Sequence, residues 1–416
     1  MHVTILAVGS RGDVQPLATL GRGLQSVGHQ VCFITTENYA PLITAHGLDL
    51  WPIPGDSEAL VRAAGADMLS LVRSFGSLAR GEPLGIPEPV RKTDVIINQL
   101  PLAILGYDLA EKFNVPMIVA AVIPLFPTRD FQVMGFPPLP WPGYNRLSYS
   151  IAQWMGRLVF SPVVNRWRKQ VLQLPPLPWR GYLHQMGTAR YPMLNGFSEQ
   201  VVPRPRDWGE HVHITGYWFP KDDTWQPPAD LRAFIESGPP PVFIGFGSMP
   251  VRHPEQTTDV IVEALRQSGQ RGVLHTGWGD LGQGDLPAHI WKLNYAPYGW
   301  LFPRMALIIH HGGSGTTAFG LRAGVPSLAA PFLFDQFFWG ERIAALGVGP
   351  RPIPFKQMSV KRLAQAIAFT VNDQPTRQRA NALGQKIRAE DGLANAIDII
   401  QQIVRNGAWP AQAVRG

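Results

Sequence analysis

The residues best suited to chemistry in this sequence are His310-His311-Gly312-Gly313-Ser314-Gly315-Thr316-Thr317. They follow an apolar run and precede a helix-like segment that ends near Gly324. Glycines let the backbone approach a ligand closely, a helix N-terminus offers N–H groups to anions, and Ser/Thr hydroxyls add donors. This is phosphate-binding chemistry. The stretch lacks the lysine and spacing of a Walker A loop, and it lacks the GxGxxG register of a dinucleotide fingerprint. A Gly-rich turn with a Ser/Thr helix cap would explain the same residues without a ligand.

Three further stretches place polar groups where apolar runs end. Gly245-Phe246-Gly247-Ser248 would set a serine hydroxyl at a strand end, and Gly9-Ser10-Arg11-Gly12-Asp13 a carboxylate at the start of a helix. Pro331-Phe332-Leu333-Phe334-Asp335-Gln336 delivers an acid and an amide together, a pair able to bind vicinal sugar hydroxyls. Each has a bland alternative: a turn, or an acid that caps a helix and complements its dipole.

The elements that must position these groups alternate between strand-like and helix-like patterns. Strand-type runs are expected at 2–9, 31–35, 94–98 and 116–123, with a helix over 12–28. The same cadence restarts at 242–247, 272–276, 290–295, 307–310 and 327–330, with helices at about 254–268 and 315–323. Strand, helix, strand at this rhythm means right-handed crossovers and parallel sheets. A helical segment is expected over 147–172, and two helices, 359–372 and 375–404, close the pattern. The expected organisation is an N-terminal domain over 1–218, a Pro-rich linker over 219–240, a second α/β domain over 241–395, and a final helix over 396–416 crossing back to the first.

Composition agrees. The chain has 416 residues, 45% hydrophobic and 16% charged, which suits two packed domains and excludes wholesale disorder. Its 42 glycines and 40 prolines follow no collagen period, so they belong to loops. The single cysteine, Cys32, excludes a disulfide scaffold. The net charge of +7 has no basic block behind it, so nucleic acid is not an expected partner. The apolar start, residues 2–9, is too short for a signal peptide, and no run reaches the roughly 20 residues of a membrane span. A cytoplasmic protein, soluble or peripheral to the cytoplasmic membrane, is expected.

Taken together, residues 295–350 (YAPYGWLFPRMALIIHHGGSGTTAFGLRAGVPSLAAPFLFDQFFWGERIAALGVGP) resemble the donor signature of inverting nucleotide-sugar glycosyltransferases of the GT-B fold. Within that family they are most similar to sterol 3-β-glucosyltransferases and their bacterial relatives. The N-terminal GSRGDVQPLATLGRGL resembles the same subgroup and the glycopeptide-antibiotic glycosyltransferases. The resemblance covers nearly the whole chain and is weakest over 55–90 and 125–190. It implies two Rossmann-like α/β domains facing a cleft, and transfer of glucose from UDP-glucose to a hydroxyl of a sterol or related lipid. Configuration would invert and no metal would be required.

By the same resemblance, His311 rather than His310 contacts the diphosphate, with Gly313, Ser314, Gly315, Thr316 and Ser248 beside it. Asp335 and Gln336 match the pair that grips the sugar. Tyr295 falls where an aromatic ring stacks on uracil, near backbone groups of Ala296. Gly12-Asp13-Val14-Gln15-Pro16 matches the G-H-x-x-P context of the catalytic base, with Asp13 as the base. No companion acid is evident; Asn98 and Gln99 lie near its expected place.

The acceptor side is read from residues 125–172, rich in aromatics that would line a cleft for a rigid apolar molecule: Phe126, Phe131, Trp141, Tyr144 and Trp154. From Phe131 to Ser198 there is no Asp or Glu, while Arg146, Arg157 and Arg166 are present. Basic residues and Trp on an amphipathic helix fit docking on an anionic membrane. Ordinary core aromatics and a solvated face would also fit. Three other functions stay open: the same fold acting on a flavonoid, polyketide or glycopeptide with a UDP- or dTDP-sugar, a non-catalytic auxiliary protein, and a GT-B epimerase.

Overall fold

The computed structural model describes residues 1–59, 85–100, 103–177, 190–220 and 225–407. The chain divides into two compact units. One comprises Met1–Glu199, Pro203–Phe219 and Asp391–Gly416; the other comprises Gln200–Val202 and Pro220–Glu390.

The first unit is built on seven parallel strands: β1 (His2–Leu6), β2 (Gln30–Thr36), β3 (Asp49–Ile53), β4 (Val95–Gln99), β5 (Met117–Ala121), β6 (Met193–Asn195) and β7 (Val212–Ile214). Their order is β3-β2-β1-β4-β5-β6-β7. β4 and β5 are buried at every position, as central strands covered on both faces must be. Pro52 is tolerated because β3 is an edge strand. Its helices are α1 (Arg11–Ser26), α2 (Ala40–Ala45), α3 (Ala103–Phe113) and α4 (Tyr144–Trp167), with a π-helical turn over Arg168–Leu172.

The second unit has strands β8 (Val242–Gly245), β9 (Gly272–His275), β10 (Ile290–Leu293), β11 (Leu307–His310) and β12 (Ser327–Ala329), in the order β10-β9-β8-β11-β12. Its helices are α5 (Ala229–Glu236), α6 (Pro254–Ser268), α7 (Tyr298–Leu301), α8 (Ser314–Ala323), α9 (Asp335–Ala345), α10 (Val360–Asn372) and α11 (Gln374–Ala389). Alternate residues of a strand face opposite layers. Val242, Ile244, Leu307 and Ile309 pack with Ile261, Leu265, Leu363 and Ile367 on one face. Phe243 and Ile308 pack with Leu231, Ile235 and Phe302 on the other. The helix α5 thus makes much of the expected linker part of the second unit.

The segment read as one helix over 375–404 is two. The break at Glu390-Asp391 is where the chain leaves the second unit. Asp391 caps α12 (Gly392–Asn406) by accepting from the Ala394 N–H at 3.0 Å. There α12 seats Ala396, Ile397 and Ile400 in the core of β1, α1 and β2. Gly392 lies so close to the Gly216 and Tyr217 backbone that a Cβ would fall within 2.4 Å of it.

In both sheets the strand order reverses once, between β1 and β4 and between β8 and β11. Open α/β sheets bind ligands at the carboxyl ends of the strands beside such a switch point. Three of the four polar stretches read from the sequence lie there: Asp13 follows β1, Ser248 follows β8, and the two-histidine loop follows β11; the fourth, with Asp335, follows the edge strand β12. Among the described residues no helix is long and apolar enough to cross a membrane.

Candidate active site

In the first unit, Ser10 is the N-cap of α1 and Asp13 its third residue. The Asp13 Oδ2 accepts from the Ser10 N–H and from the Ser10 hydroxyl, both at 2.8 Å. The carboxylate is therefore also a capping group, as the bland reading expected. Both donors engage Oδ2 rather than Oδ1. Gly9, with φ of +146°, is required here: a Cβ would lie 2.6 Å from that Oδ2. Burial raises the pKa of Asp13 above its ordinary 3.8; hydrogen bonds from Ser10 and, less, the nearby Gln99 side chain offset part of the rise.

Neighbouring groups brace the loop. The Val8 N–H donates to Gln99 Oε1 at 3.0 Å. The Gly9 carbonyl accepts from the Ser57 hydroxyl at 2.9 Å and lies 3.0 Å from the Tyr39 hydroxyl. Gln99 is buried at the end of β4 and its Oε1 is fixed by Val8, while its buried amide nitrogen makes no hydrogen bond. Gln99 is thus the residue beside Asp13 where no companion acid was found.

In the second unit, the β11–α8 loop brings Gly312 and Gly313 to the N-terminus of α8. The cap residue is Gly313, so no side chain covers that end. The first amides of a helix have no partner inside it, and Ser314, Gly315 and Thr316 occupy that turn. Thr317 instead turns inward, its hydroxyl donating to the Gly313 carbonyl at 2.9 Å. The His311 ring fits between two glycines. A Cβ at Gly313 would fall 2.3 Å from its Nε2, and one at Gly247, next to Ser248, 3.1 Å from its Cε1.

Burial pushes His311 down to about 4, so its imidazole is neutral at pH 7. His310 is pushed further, to about 3, by burial and by His311. Its Nδ1 accepts from the Gly312 N–H at 3.0 Å, so the neutral ring carries its hydrogen on Nε2. His310 is accordingly a fully buried support of the loop.

Asp335 opens α9 and its Oδ2 accepts from the Trp339 indole at 3.2 Å; Trp339 is fully buried. Phe334, just before it, has φ 47° and ψ −126°, a conformation that strains a residue with a side chain. Gln336 is not presented beside Asp335. It is buried, its Oε1 accepts from the Phe332 and Leu333 N–H groups at 2.7 and 3.2 Å, and its amide nitrogen lies 3.1 Å from Met249 Sδ. It shapes the loop from inside. Tyr295, past the end of β10, is 54% exposed, with Ala296 buried beside it.

The five acceptor candidates do not share one environment. Phe126 packs edge-on against Trp208 and His211, with ring centroids at 6.3 and 5.6 Å. Tyr144 is buried, and its ring meets Trp141 edge-on at 6.4 Å. Phe131 is half-buried, while Trp141 and Trp154 are exposed.

Two parallel α/β sheets in two units, each with polar groups beside its switch point, are the architecture of the GT-B fold. The family model "Glycosyltransferase family 28 N-terminal domain" matches residues 3–131, and "Erythromycin biosynthesis protein CIII-like, C-terminal domain" matches residues 279–403. Two sterol 3-beta-glucosyltransferases of Arabidopsis thaliana are 36% and 35% identical over 95% and 96% of the chain. One of Aspergillus clavatus is 34% identical over 99% of it. The chain belongs to the glycosyltransferase family that contains these sterol 3-beta-glucosyltransferases. It spans 64% and 67% of the length of the two plant relatives and 30% of the fungal one.

Solved structures share the fold. The glycotransferase of kitacinnamycin aligns with a TM-score of 0.72 at 20% identity, over 97% of this chain and 99% of its own. VinC in complex with dTDP aligns at 0.68 and 16% identity, over 98% of this chain and 100% of its own.

Proposed function

We propose that the chain transfers glucose from UDP-glucose, with inversion, to the hydroxyl of a sterol or a related apolar acceptor. The observation that carries this reading is the division of labour between the two units. One holds a carboxylate whose pKa burial raises. The other holds an uncapped helix N-terminus beside a neutral histidine.

The acceptor hydroxyl attacks the anomeric carbon, whose bond to the β-phosphate oxygen breaks with its electron pair passing to UDP. The proton released by the acceptor goes to Asp13 Oδ1. An aspartate of ordinary pKa is a weak base for an alcohol, and the raised value narrows that gap. Proton transfer also comes late, when the attacking oxygen is already acidified by bond formation. The charge that grows on the diphosphate is met by the first-turn amides of α8, the Thr316 and Ser248 hydroxyls and an N–H of His311. Asp335, held by Trp339, accepts from sugar hydroxyls, and Gln336 keeps its loop in shape. Tyr295 stacks on the base beside the Ala296 backbone.

A second reading has its own support. The C-terminal match to an erythromycin-biosynthesis domain and the fold shared with a dTDP complex favour a soluble natural-product acceptor with a dTDP-sugar. One experiment decides. The chain is incubated with UDP-glucose or dTDP-glucose and a panel of sterol, flavonoid, polyketide and glycopeptide acceptors, and products are read by mass spectrometry and anomeric NMR. A β-glucoside of the sterol with UDP-glucose is expected. Product only from a soluble acceptor, or an α-linked product, refutes the proposal.

A further inference from the structure

Among the described residues twelve large apolar side chains are exposed, and seven of them fall between residues 139 and 158. That clustering sets one surface apart. Five lie on α4: Leu147 (52% exposed), Ile151 (37%), Trp154 (62%), Met155 (50%) and Leu158 (59%). Their spacing of four, three, one and three residues places them within roughly 100° of the helix circumference, over roughly 17 Å of its length. Leu139 and Trp141, in the loop that leads into α4, add 37% and 64% exposed side chains. The opposite side of α4 is ordinary core, with Tyr149, Val164 and Trp167 buried.

The helix is firmly held. Arg168, just beyond its end, is buried in an ion pair with Asp108 and lies 2.9 Å from Glu111, both on α3. The apolar stripe is therefore a fixed outward face. Helical spacing puts the exposed Arg146 on one flank of it. No acidic residue occurs from Phe131 to Ser198. Two tryptophans, an apolar stripe and the exposed Arg146 beside it match the layers of a bilayer interface, from acyl chain to anionic headgroup. A stripe of this length and one-sidedness suits a helix lying along the surface.

We infer that this face of α4, with Leu139 and Trp141, docks the chain on the surface of an anionic lipid bilayer. The inference deepens the proposed function, because a sterol-like acceptor resides in that phase, and it rests on that reading for its purpose. The surface itself stands on exposure and charge.

The test is co-sedimentation of the full chain with vesicles of phosphatidylcholine alone or mixed with phosphatidylglycerol. The wild type should bind the mixed vesicles, more weakly as salt is raised. The variant Leu147→Ser/Ile151→Ser/Leu158→Ser should bind at least about tenfold more weakly, with an unchanged melting temperature. Arg146→Gln should reduce the preference for phosphatidylglycerol while leaving residual binding to phosphatidylcholine. Failure of the wild type to bind either vesicle overturns the inference, as does equal binding by the triple variant. So does a wild-type dimer that the triple variant dissociates, which would make the face a contact between copies. A raised KM for a detergent-solubilised acceptor with unchanged vesicle binding would assign the face to the acceptor instead. Vesicle binding needs no turnover, so absence of sugar transfer with intact binding would refute the proposed function and leave this inference standing.

Discussion

Asp13→Asn separates catalysis from structure better than the alanine variant does. Alanine removes the acceptor of two Ser10 hydrogen bonds at 2.8 Å, so the loop loses its cap, a half-buried loss of about 1 kcal/mol each. The asparagine carbonyl can take both bonds and only the proton acceptor disappears. Loss of a positioned general base lowers turnover by about 10²–10⁴-fold, or about 3–5 kcal/mol of activation free energy. The variant should therefore lose kcat by that factor and keep its affinity for UDP.

Its stability should move the other way. Burial raises the Asp13 pKa above 3.8 in the folded chain. Between 3.8 and the raised value, the folded state holds a proton that the unfolded state has released. Stability falls as pH rises through that window and stays lower above it. Asparagine has no such loss, so the variant should melt at or above the wild-type temperature at pH 7, an advantage that shrinks on acidification. The assays are initial rates with UDP-glucose and acceptor, UDP titration by calorimetry, and melting curves across pH. Turnover within tenfold of wild type, or a loss of UDP affinity parallel to the loss of rate, would refute Asp13 as the base.

Other expectations follow from the same geometry. His311→Ala should weaken UDP binding itself and abolish the thermal shift that UDP induces; an unchanged affinity would remove His311 from the donor site. His310 and His311, pushed down to about 3 and about 4 from 6.5, are protonated first in the unfolded chain. Their contribution to stability is complete above about pH 6.5 and declines as pH falls towards 4, so melting curves should show an acid loss that His311→Ala reduces. Gln99→Glu keeps an acceptor for the Val8 N–H but adds a carboxylate beside Asp13, so the acid limb of the kcat profile should move to higher pH. A purely structural Gln99 would leave that limb in place. Trp339→Phe removes the indole donor to Asp335 while keeping an aromatic ring in the core, and should raise the donor KM about fivefold with UDP affinity unchanged.

Much of this was legible in the sequence because burial leaves a chemical trace. Val95–Gln99 and Met117–Ala121 are strands covered on both faces, and their apolar runs announce it. Asp13 is legible as a helix-start acid from its neighbours alone. The role of Gln99 was not legible, because it meets Asp13 only once β4 lies beside β1, a pairing of residues about ninety apart. Nor was the inward turn of Gln336, since an amide at a strand end can present either to solvent or to its own loop. The support of Asp335 by Trp339 had a faint signal in their i,i+4 spacing. The break at Asp391 was hidden by apolar periodicity that runs through it, although the Asp-Gly pair marks a cap.

The late return of α12 to the first unit has a consequence for the order of events during synthesis. The first unit is the earlier to be translated, yet its core waits for Ala396, Ile397 and Ile400, which leave the ribosome after the whole second unit. Apart from Gln200–Val202, the second unit is one continuous run from Pro220 to Glu390 and can close on its own contacts. Domains generally fold as they emerge, and pairings distant in sequence form slowly. Until α12 arrives, the groove beside Gly23 of α1 that receives Leu393 and Ile397 stays open to water. A nascent chain stalled before residue 391 would thus carry a sealed second unit behind a first unit exposing an apolar seam, the kind of surface that chaperones hold.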